Sequence, residues 1–218
     1  WYNALKIMES FANLYKEKEL SKKYAELAKK CKESFIKKFY NKKRKCFDDL
    51  VGDNSIRPNQ LFAIGLHYPV VEPNSVEAKT AFETVTKKLL TPYGLKTLAK
   101  GEKCYREIYE GDQIKRDMSY HQGITWPWLL GIYSDSFLNI INAEKNKTKK
   151  KELEEQYSKF AQNVEDTFYN EMYNRSTVGS ISELYDSAKP YEAKGAFAQA
   201  WSVAEVFRII EKRNKWES

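Results

Sequence analysis

The chain has 218 residues, of which 42% are hydrophobic and 31% charged, so it is long enough to bury one sizeable core. Its net charge of +7 lies largely in two lysine-rich tracts, at 42–45 and 145–151, which are typical of solvated helix ends and not of a nucleic-acid interface. No apolar run approaches the roughly 18 residues of a membrane span, and the three cysteines exclude a disulfide framework. Composition therefore predicts a cytoplasmic protein that binds neither nucleic acids nor membranes.

Helical segments of two kinds alternate along the chain. Segments 20–40, 74–90 and 148–173 place apolar residues on one face at helical spacing, which is typical of amphipathic, half-exposed helices. Segments 1–15, 61–66, 126–141 and 196–210 are apolar on most sides, as buried helices are. A ring of buried helices inside a ring of amphipathic ones is an α/α toroid. We therefore predict an all-α fold of the (α/α)6-barrel type, with about seven helices forming an incomplete ring.

Two connections, 91–118 and 174–194, are much longer than the roughly 2–8 residues that usually join neighbouring helices. Both lead into the start of a buried helix, so we expect them at the same end of the ring, where long loops usually carry function. Carboxylates, amides, a histidine and tryptophans occur in and just after them. Such side chains suit a polyhydroxyl ligand, because polar groups bind its hydroxyls and indoles cover its apolar face.

Other chemistries find less support in the sequence. No glycine-rich phosphate loop is present, and there is no G-x-S-x-G elbow for a nucleophilic triad. The cysteines form no C-x-x-C pair, so we expect no metal site, and no cofactor site is evident. Glycoside cleavage, in contrast, needs only two carboxyls, one to protonate the leaving oxygen and one to activate water.

Motifs at these loops resemble the glycogen debranching enzyme family, in the C-terminal end of its amylo-α-1,6-glucosidase domain, over nearly the whole chain. They include Tyr109-Glu110-Gly111-Asp112-Gln113, Tyr120-His121-Gln122-Gly123, Trp126-Pro127-Trp128, Gly179-Ser180-Ile181-Ser182-Glu183 and Ala198-Gln199-Ala200-Trp201. The resemblance implies an α/α-barrel hydrolase that removes the α-1,6-linked glucose of a trimmed branch with inversion and without a cofactor.

The resemblance also implies roles for individual residues. Glu183 corresponds to the general base that activates water. The family's acid is an aspartate in an upstream Trp-Met-Asp-like segment, which this chain lacks. We therefore expect residues 1–218 to be the C-terminal portion of a single α/α-barrel glucosidase domain, whose upstream part is absent, and to be inactive alone.

The candidate substrate-binding residues lie in the first long connection and at the starts of the buried helices. They are Asp112, Arg116, Asp117, His121, Gln122, Trp126 and Gln199. Some have a plainer interpretation: Asp112 and Asp117 could be helix caps or loop charges, and Gln60, Gln122 and Gln199 could tie loops together. Trp128 and Trp201 are interpreted as mainly structural, and Asp186 and Glu205 as supporting or surface charges.

The expected partner is a branched, glycogen-like α-glucan. Two alternatives stay open: another α/α-barrel glycosidase of the glucoamylase or trehalase type, and a non-catalytic helical module that binds glucan or protein. Because an incomplete ring exposes apolar surface, we also expect this fragment to self-associate.

Overall fold

Helices dominate the computed structural model, which describes residues 1–176 and 178–217. These residues form eight α-helices: α1 (Tyr2–Leu14), α2 (Lys18–Phe39), α3 (Phe62–Gly65), α4 (Val76–Leu89), α5 (Gln113–Tyr120), α6 (Leu129–Ala143), α7 (Lys147–Asn170) and α8 (Ala200–Glu217). A 3-10 turn, Pro58–Leu61, leads into α3, and a π turn, Glu171–Arg175, continues α7. The predicted all-α class is confirmed. None of the helices in the described part of the chain is long and apolar enough to span a bilayer.

Helix α6 is the centre of the hydrophobic core. Ten of its 15 residues are buried, and it packs against α3, α4, α7 and α8. The Ser136 hydroxyl donates to the Leu61 carbonyl at 3.1 Å, which ties α6 to the turn before α3. The amphipathic helices α4 and α7 cover α6 with their apolar faces, so the predicted alternation of buried and amphipathic helices is confirmed here.

Helices α1 and α8 are less buried than their composition predicts. In α1 only Leu5 and Ala12 are buried, whereas Phe11 and Leu14 are exposed. On α8, Phe207 is 52% exposed. A helix that is apolar on most sides becomes buried only where neighbours cover each side, and α1 packs chiefly on α2. Both helices therefore present apolar surface to solvent.

Two small sheets accompany the helices, and no periodic pattern in the sequence predicts them. Strands β1 (Tyr40–Asn41) and β2 (Cys46–Phe47) form a hairpin after α2. A second, antiparallel sheet holds five short strands in chain order: β3 (Leu90–Thr91), β4 (Gly94–Lys96), β5 (Thr125–Trp126), β6 (Leu184–Tyr185) and β7 (Ala193–Lys194). Strands of two or three residues are too short to show an alternating pattern, which is why periodicity missed them.

The five-stranded sheet joins the two long connections to each other. Thr125, which follows the first connection, pairs with Tyr185 in the second, and Leu184 pairs with Lys194. The expectation that both connections lie at the same end of the fold is therefore confirmed. The sheet brings the segment that precedes α6 alongside the segment that carries Glu183.

Candidate functional site

Glu183 lies immediately before strand β6, and both oxygens of its carboxylate are hydrogen-bonded. The Tyr120 hydroxyl donates to Oε1, and the backbone N–H of Ala196 donates to Oε2 at 3.0 Å. The backbone N–H of Glu183 donates in turn to the Ala196 carbonyl at 2.8 Å. The carboxylate is therefore fixed between the end of α5 and the segment after β7, and it does not point freely into solvent.

A cluster of rings lies on the Tyr120 side of this carboxylate. The Tyr120 ring meets the Trp126 indole edge-on at 4.7 Å, and the His121 ring stacks on the same indole at 5.3 Å. The Trp126 Nε1–H donates to the Tyr120 carbonyl at 3.0 Å. Tyr109 adds a further ring, 5.8 Å from Tyr120. The Tyr-His-Gln motif at the end of α5 thus brings two rings against Trp126, next to Glu183.

The surroundings of His121 shift its pKa. Desolvation by its neighbours lowers the pKa of His121, the positive charge of Arg57 lowers it further, and the negative charge of Glu183 opposes both effects. The net shift is downward, so the imidazole is mainly neutral near pH 7. A neutral imidazole can both donate a hydrogen bond to a sugar hydroxyl and accept one from it.

The Arg57 side chain supports the site, a role that its sequence context does not predict. Its guanidinium donates to the carbonyls of His121 at 2.8 Å and Thr97 at 3.1 Å, and to Gln122 Oε1 at 2.9 Å. It therefore connects the turn before α3 to the chain on both sides of α5. Its partners lie 40, 64 and 65 positions along the chain, so no local pattern in the sequence indicates this role.

The three glutamines differ in their surroundings. Gln122 holds Arg57, and the buried Gln60 accepts from the Phe47 N–H at 3.2 Å and donates to the Arg57 carbonyl at 2.9 Å. The backbone N–H of Gln199 donates to the Ile181 carbonyl at 2.9 Å, which joins the start of α8 to the segment before Glu183. Gln60 and Gln122 thus tie neighbouring segments together, and contact of Gln122 with substrate stays a prediction.

Three further candidates lie on or beside α5. Asp112 caps this helix, because its side chain accepts from the Lys115 N–H at 2.9 Å, and it is exposed. Arg116 and Asp117 are also exposed on α5. The structure brings His121 and Glu183 into one cluster, whereas these three side chains lie on the solvent-exposed part of the same segment. Their contact with substrate stays a prediction.

The tryptophans differ strongly in accessibility. Trp126 is only 2% exposed, so it supports the rings of Tyr120 and His121 from behind. Trp201 is 45% exposed, meets Trp126 edge-on at 5.9 Å and stacks on Trp128 at 5.1 Å. Of Trp126, Trp128 and Trp201, the most exposed is therefore Trp201, at the start of α8.

Asp186 links the two long connections beneath the site. Its Oδ1 accepts from the Tyr109 N–H at 2.7 Å, and its Oδ2 lies 3.9 Å from the Lys194 ammonium. Asp186 is buried, and burial raises the pKa of its carboxyl, although the two partners oppose the shift. Asp186 is thus a supporting residue. Within residues 1–176 and 178–217, no three His, Cys, Asp or Glu side chains are grouped so that they could hold a metal.

This chain is similar to a known protein family and to solved structures. A family model described as amylo-alpha-1,6-glucosidase matches residues 1–208. A solved structure titled "Sialidase" matches with a TM-score of 0.68 and 16% identity, over 97% of this chain and 18% of that chain. The chain thus spans less than a fifth of the length of that structure, and the likeness shows the fold alone, which is consistent with an α/α-barrel type. Because the family model matches nearly the whole sequence, the chain belongs to the amylo-alpha-1,6-glucosidase family.

Proposed function

We propose that the full-length protein containing this chain hydrolyses α-1,6-glucosidic branch linkages in glycogen-like glucans and releases glucose with inversion. Glu183 is the general base of this reaction. One observation carries the proposal. The chain belongs to this glucosidase family, and both carboxylate oxygens of Glu183 are hydrogen-bonded beside the rings of Tyr120 and His121. A fixed carboxylate next to flat apolar faces suits a base that acts on water at a bound sugar.

The reaction follows from the role of that carboxylate. A water molecule between Glu183 and the anomeric carbon loses a proton to the carboxylate while its oxygen attacks the carbon. The glycosidic C–O bond breaks at the same time, and the leaving oxygen takes a proton from an acid carboxyl on the other side of the sugar. Inverting enzymes separate the two carboxyls by roughly 6.5–9.5 Å, which leaves room for the water.

The acid carboxyl is proposed to belong to a part of the same barrel domain outside residues 1–218. Residues 1–218 would then form the C-terminal portion of that domain and would be inactive alone. The open apolar faces of α1 and α8 support this view, because a packed domain normally covers such faces. The match to only 18% of a longer solved chain is consistent with it.

Substrate recognition is proposed to use both connections. The neutral imidazole of His121 and the amide of Gln199 would bind sugar hydroxyls. Exposed charges on or beside α5 would contact the glucan beyond the cleaved unit; they belong to Asp112, Arg116 and Asp117. Trp126 would act indirectly, because it is buried behind the rings that it supports.

The decisive experiment is Glu183→Gln in the full-length protein, assayed on branched limit dextrin. Loss of a general base lowers kcat by about 10²- to 10⁴-fold. Glu192→Gln is the matched control, since Glu192 is an exposed glutamate of the same connection, and it should keep full activity. Proton NMR of the first product should show β-glucose, as inversion requires. An undiminished kcat in Glu183→Gln would refute the proposal.

The same assay separates the alternatives. A glucoamylase- or trehalase-type enzyme would release glucose from linear maltooligosaccharides or from trehalose faster than from limit dextrin. A non-catalytic module would leave the activity of the full-length protein unchanged in Glu183→Gln. Neither outcome is expected, because the family match favours the debranching reaction and the hydrogen-bonded carboxylate of Glu183 favours a catalytic role.

Residues 1–218 on their own are proposed to self-associate. Exposed apolar side chains lie together at the end of α1, at Phe11, Leu14 and Tyr15. Such a patch favours association in water. Sedimentation of the isolated chain should show oligomers, and a single compact monomer at all concentrations would contradict the proposal.

The cellular setting is proposed to be the cytoplasm, with a role in glycogen catabolism. All three cysteines, Cys31, Cys46 and Cys104, carry free thiols, which a reducing compartment preserves. Fractionation of cells that produce the full-length protein tests this, and recovery of the protein outside the cytoplasm would contradict it.

A further inference from the structure

The two donors to the Glu183 carboxylate differ in kind. Oε2 is held by a backbone N–H, that of Ala196, which lies just after strand β7. Oε1 is held by a side chain, the hydroxyl of Tyr120 at the end of α5. Because the donors bind different oxygens, together they fix the plane of the carboxylate. With one donor alone, only one oxygen would be held, and the orientation of the carboxylate plane would be less restricted.

Tyr120 is itself fixed by its neighbours. Its ring lies 4.7 Å from the Trp126 indole and 4.7 Å from the His121 ring, and its carbonyl accepts from the Trp126 indole N–H at 3.0 Å. A side chain packed in this way loses little further conformational freedom when it binds a partner, so it can impose its own position on that partner.

The Tyr120 phenol is a permanent donor. Burial raises its pKa well above the ordinary value of 10, and the hydrogen bond and negative charge of Glu183 raise it further. The hydroxyl therefore keeps its proton at neutral and mildly acidic pH. It can therefore donate to the Glu183 carboxylate throughout that range.

We propose that Tyr120 is the positioning residue of the general base, which holds Oε1 so that the remaining lone pairs of Glu183 face the attacking water. The inference rests on the proposed function of Glu183. A misplacement of about 1 Å can cost on the order of 10² in rate, so loss of one of two donors acts mainly on kcat. Tyr120 acts through Glu183 and neither gains nor loses a proton in the reaction.

The first test is Tyr120→Phe in the full-length protein, which removes the hydroxyl and keeps the ring contacts. On branched limit dextrin, we expect kcat to fall by about 10- to 100-fold while KM changes by less than about threefold. Tyr133→Phe is the matched control, because it also removes a tyrosine hydroxyl bond, to Thr86 at 3.0 Å, but between α6 and α4. Tyr133→Phe should leave kcat unchanged.

A double-mutant cycle separates positioning from a general structural effect. If Tyr120 acts through Glu183, then Tyr120→Phe in the Glu183→Gln background should cause no further loss of kcat. Tyr120→Leu is measured alongside, so that the result does not depend on one variant. An unchanged kcat in Tyr120→Phe, or an additive loss in the double variant, would overturn the inference.

The outcomes also distinguish this inference from the proposed function. If Glu183→Gln keeps its activity, the general-base assignment fails and the inference fails with it. If Glu183→Gln is inactive while both Tyr120 variants keep normal kcat, only the positioning role of Tyr120 is refuted.

Discussion

Gly195 lies directly against the carboxylate of Glu183. A Cβ at position 195 would come within 2.4 Å of Oε2 and 3.0 Å of the Glu183 Cβ. The backbone of Gly195 has a φ of +71°, a conformation that glycine adopts readily and other residues rarely do. The position of the proposed base thus depends on the absence of a side chain at a residue well beyond it in the sequence.

Gly195→Ala is expected to displace the Glu183 carboxylate and to lower kcat by about 10²-fold or more, because the added methyl would collide with it. Gly179→Ala is the matched control. Its φ is +75°, but among the described residues nothing lies within 4 Å of the place where its methyl group would stand. Gly179→Ala should therefore lose a similar free energy of about 1–2 kcal/mol from its positive φ, without the collision. Steady-state kinetics and thermal unfolding of both variants test this, and equal loss of kcat would contradict it.

Arg57 and Glu183 have opposite effects on the protonation of His121. Removal of the positive charge in Arg57→Met should raise the pKa of His121 toward its ordinary value of about 6.5, whereas Glu183→Gln should lower it further. NMR titration of the His121 imidazole, assigned through His121→Asn, measures both shifts. Arg106→Met serves as the control, since Arg106 is exposed and absent from the groups that shift His121. A shift of the same sign in Arg57→Met and Glu183→Gln would be inconsistent with the structure.

Trp201 is expected to bind the apolar face of a glucose unit. Because its indole is half exposed beside the ring cluster, Trp201→Ala should weaken glucan binding by about 3- to 10-fold, which corresponds to about 0.5–1.5 kcal/mol for an aromatic contact. Phe207→Ala provides the comparison, as Phe207 is similarly exposed further along the same helix. Calorimetric titration with maltooligosaccharides measures both affinities, and similar losses would argue against a specific role.

Glu144 is expected to make stability depend on pH. Its hydrogen bond from Lys79 at 2.9 Å, together with the Asn146 N–H, lowers the pKa of Glu144 to about 2. A carboxyl with a lowered pKa stabilises the fold above its ordinary pKa of 4.5, and this contribution is lost as the pH falls toward 2. Glu144→Gln should therefore lower Tm at pH 7, and the difference should vanish near about pH 2.

The control for this prediction is Glu152→Gln, because Glu152 is exposed on α7 and forms no ion pair within the described residues. Its Tm should follow that of the original protein at every pH. A constant difference between Glu144→Gln and the original protein across the pH range would show that the loss is not electrostatic.

The helices were predictable because a helix that packs on one face carries apolar residues at a regular spacing in its sequence. The buried faces of α4 and α7 are those that the 3.6-residue spacing indicated, for example Ala78 and Phe82 in α4. The burial of α1 and α8 was overestimated, because composition records how apolar a helix is and not whether a neighbour covers it. The five-stranded sheet left no trace, since its strands are only two or three residues long.

The candidate site was predictable in part. Motifs singled out Glu183, His121 and Trp126, which the structure places in one cluster. They did not reveal that Trp126 is buried and Trp201 half exposed, because residue identity does not encode how far neighbours cover a side chain. Nor did they reveal the role of Arg57, whose three partners lie far from it in the sequence.

The sequence by itself determined the helical class, the family and the residue type at the proposed base, because these depend on periodic spacing and on local motifs. Only the tertiary structure decided what holds that base. The Ala196 N–H and the bare Cα of Gly195 meet Glu183 through the pairing of β6 with β7, and the Tyr120 hydroxyl reaches it because β5 pairs with β6. Contacts between residues far apart in sequence depend on the path of the whole backbone. A local motif or a periodic pattern therefore cannot predict them.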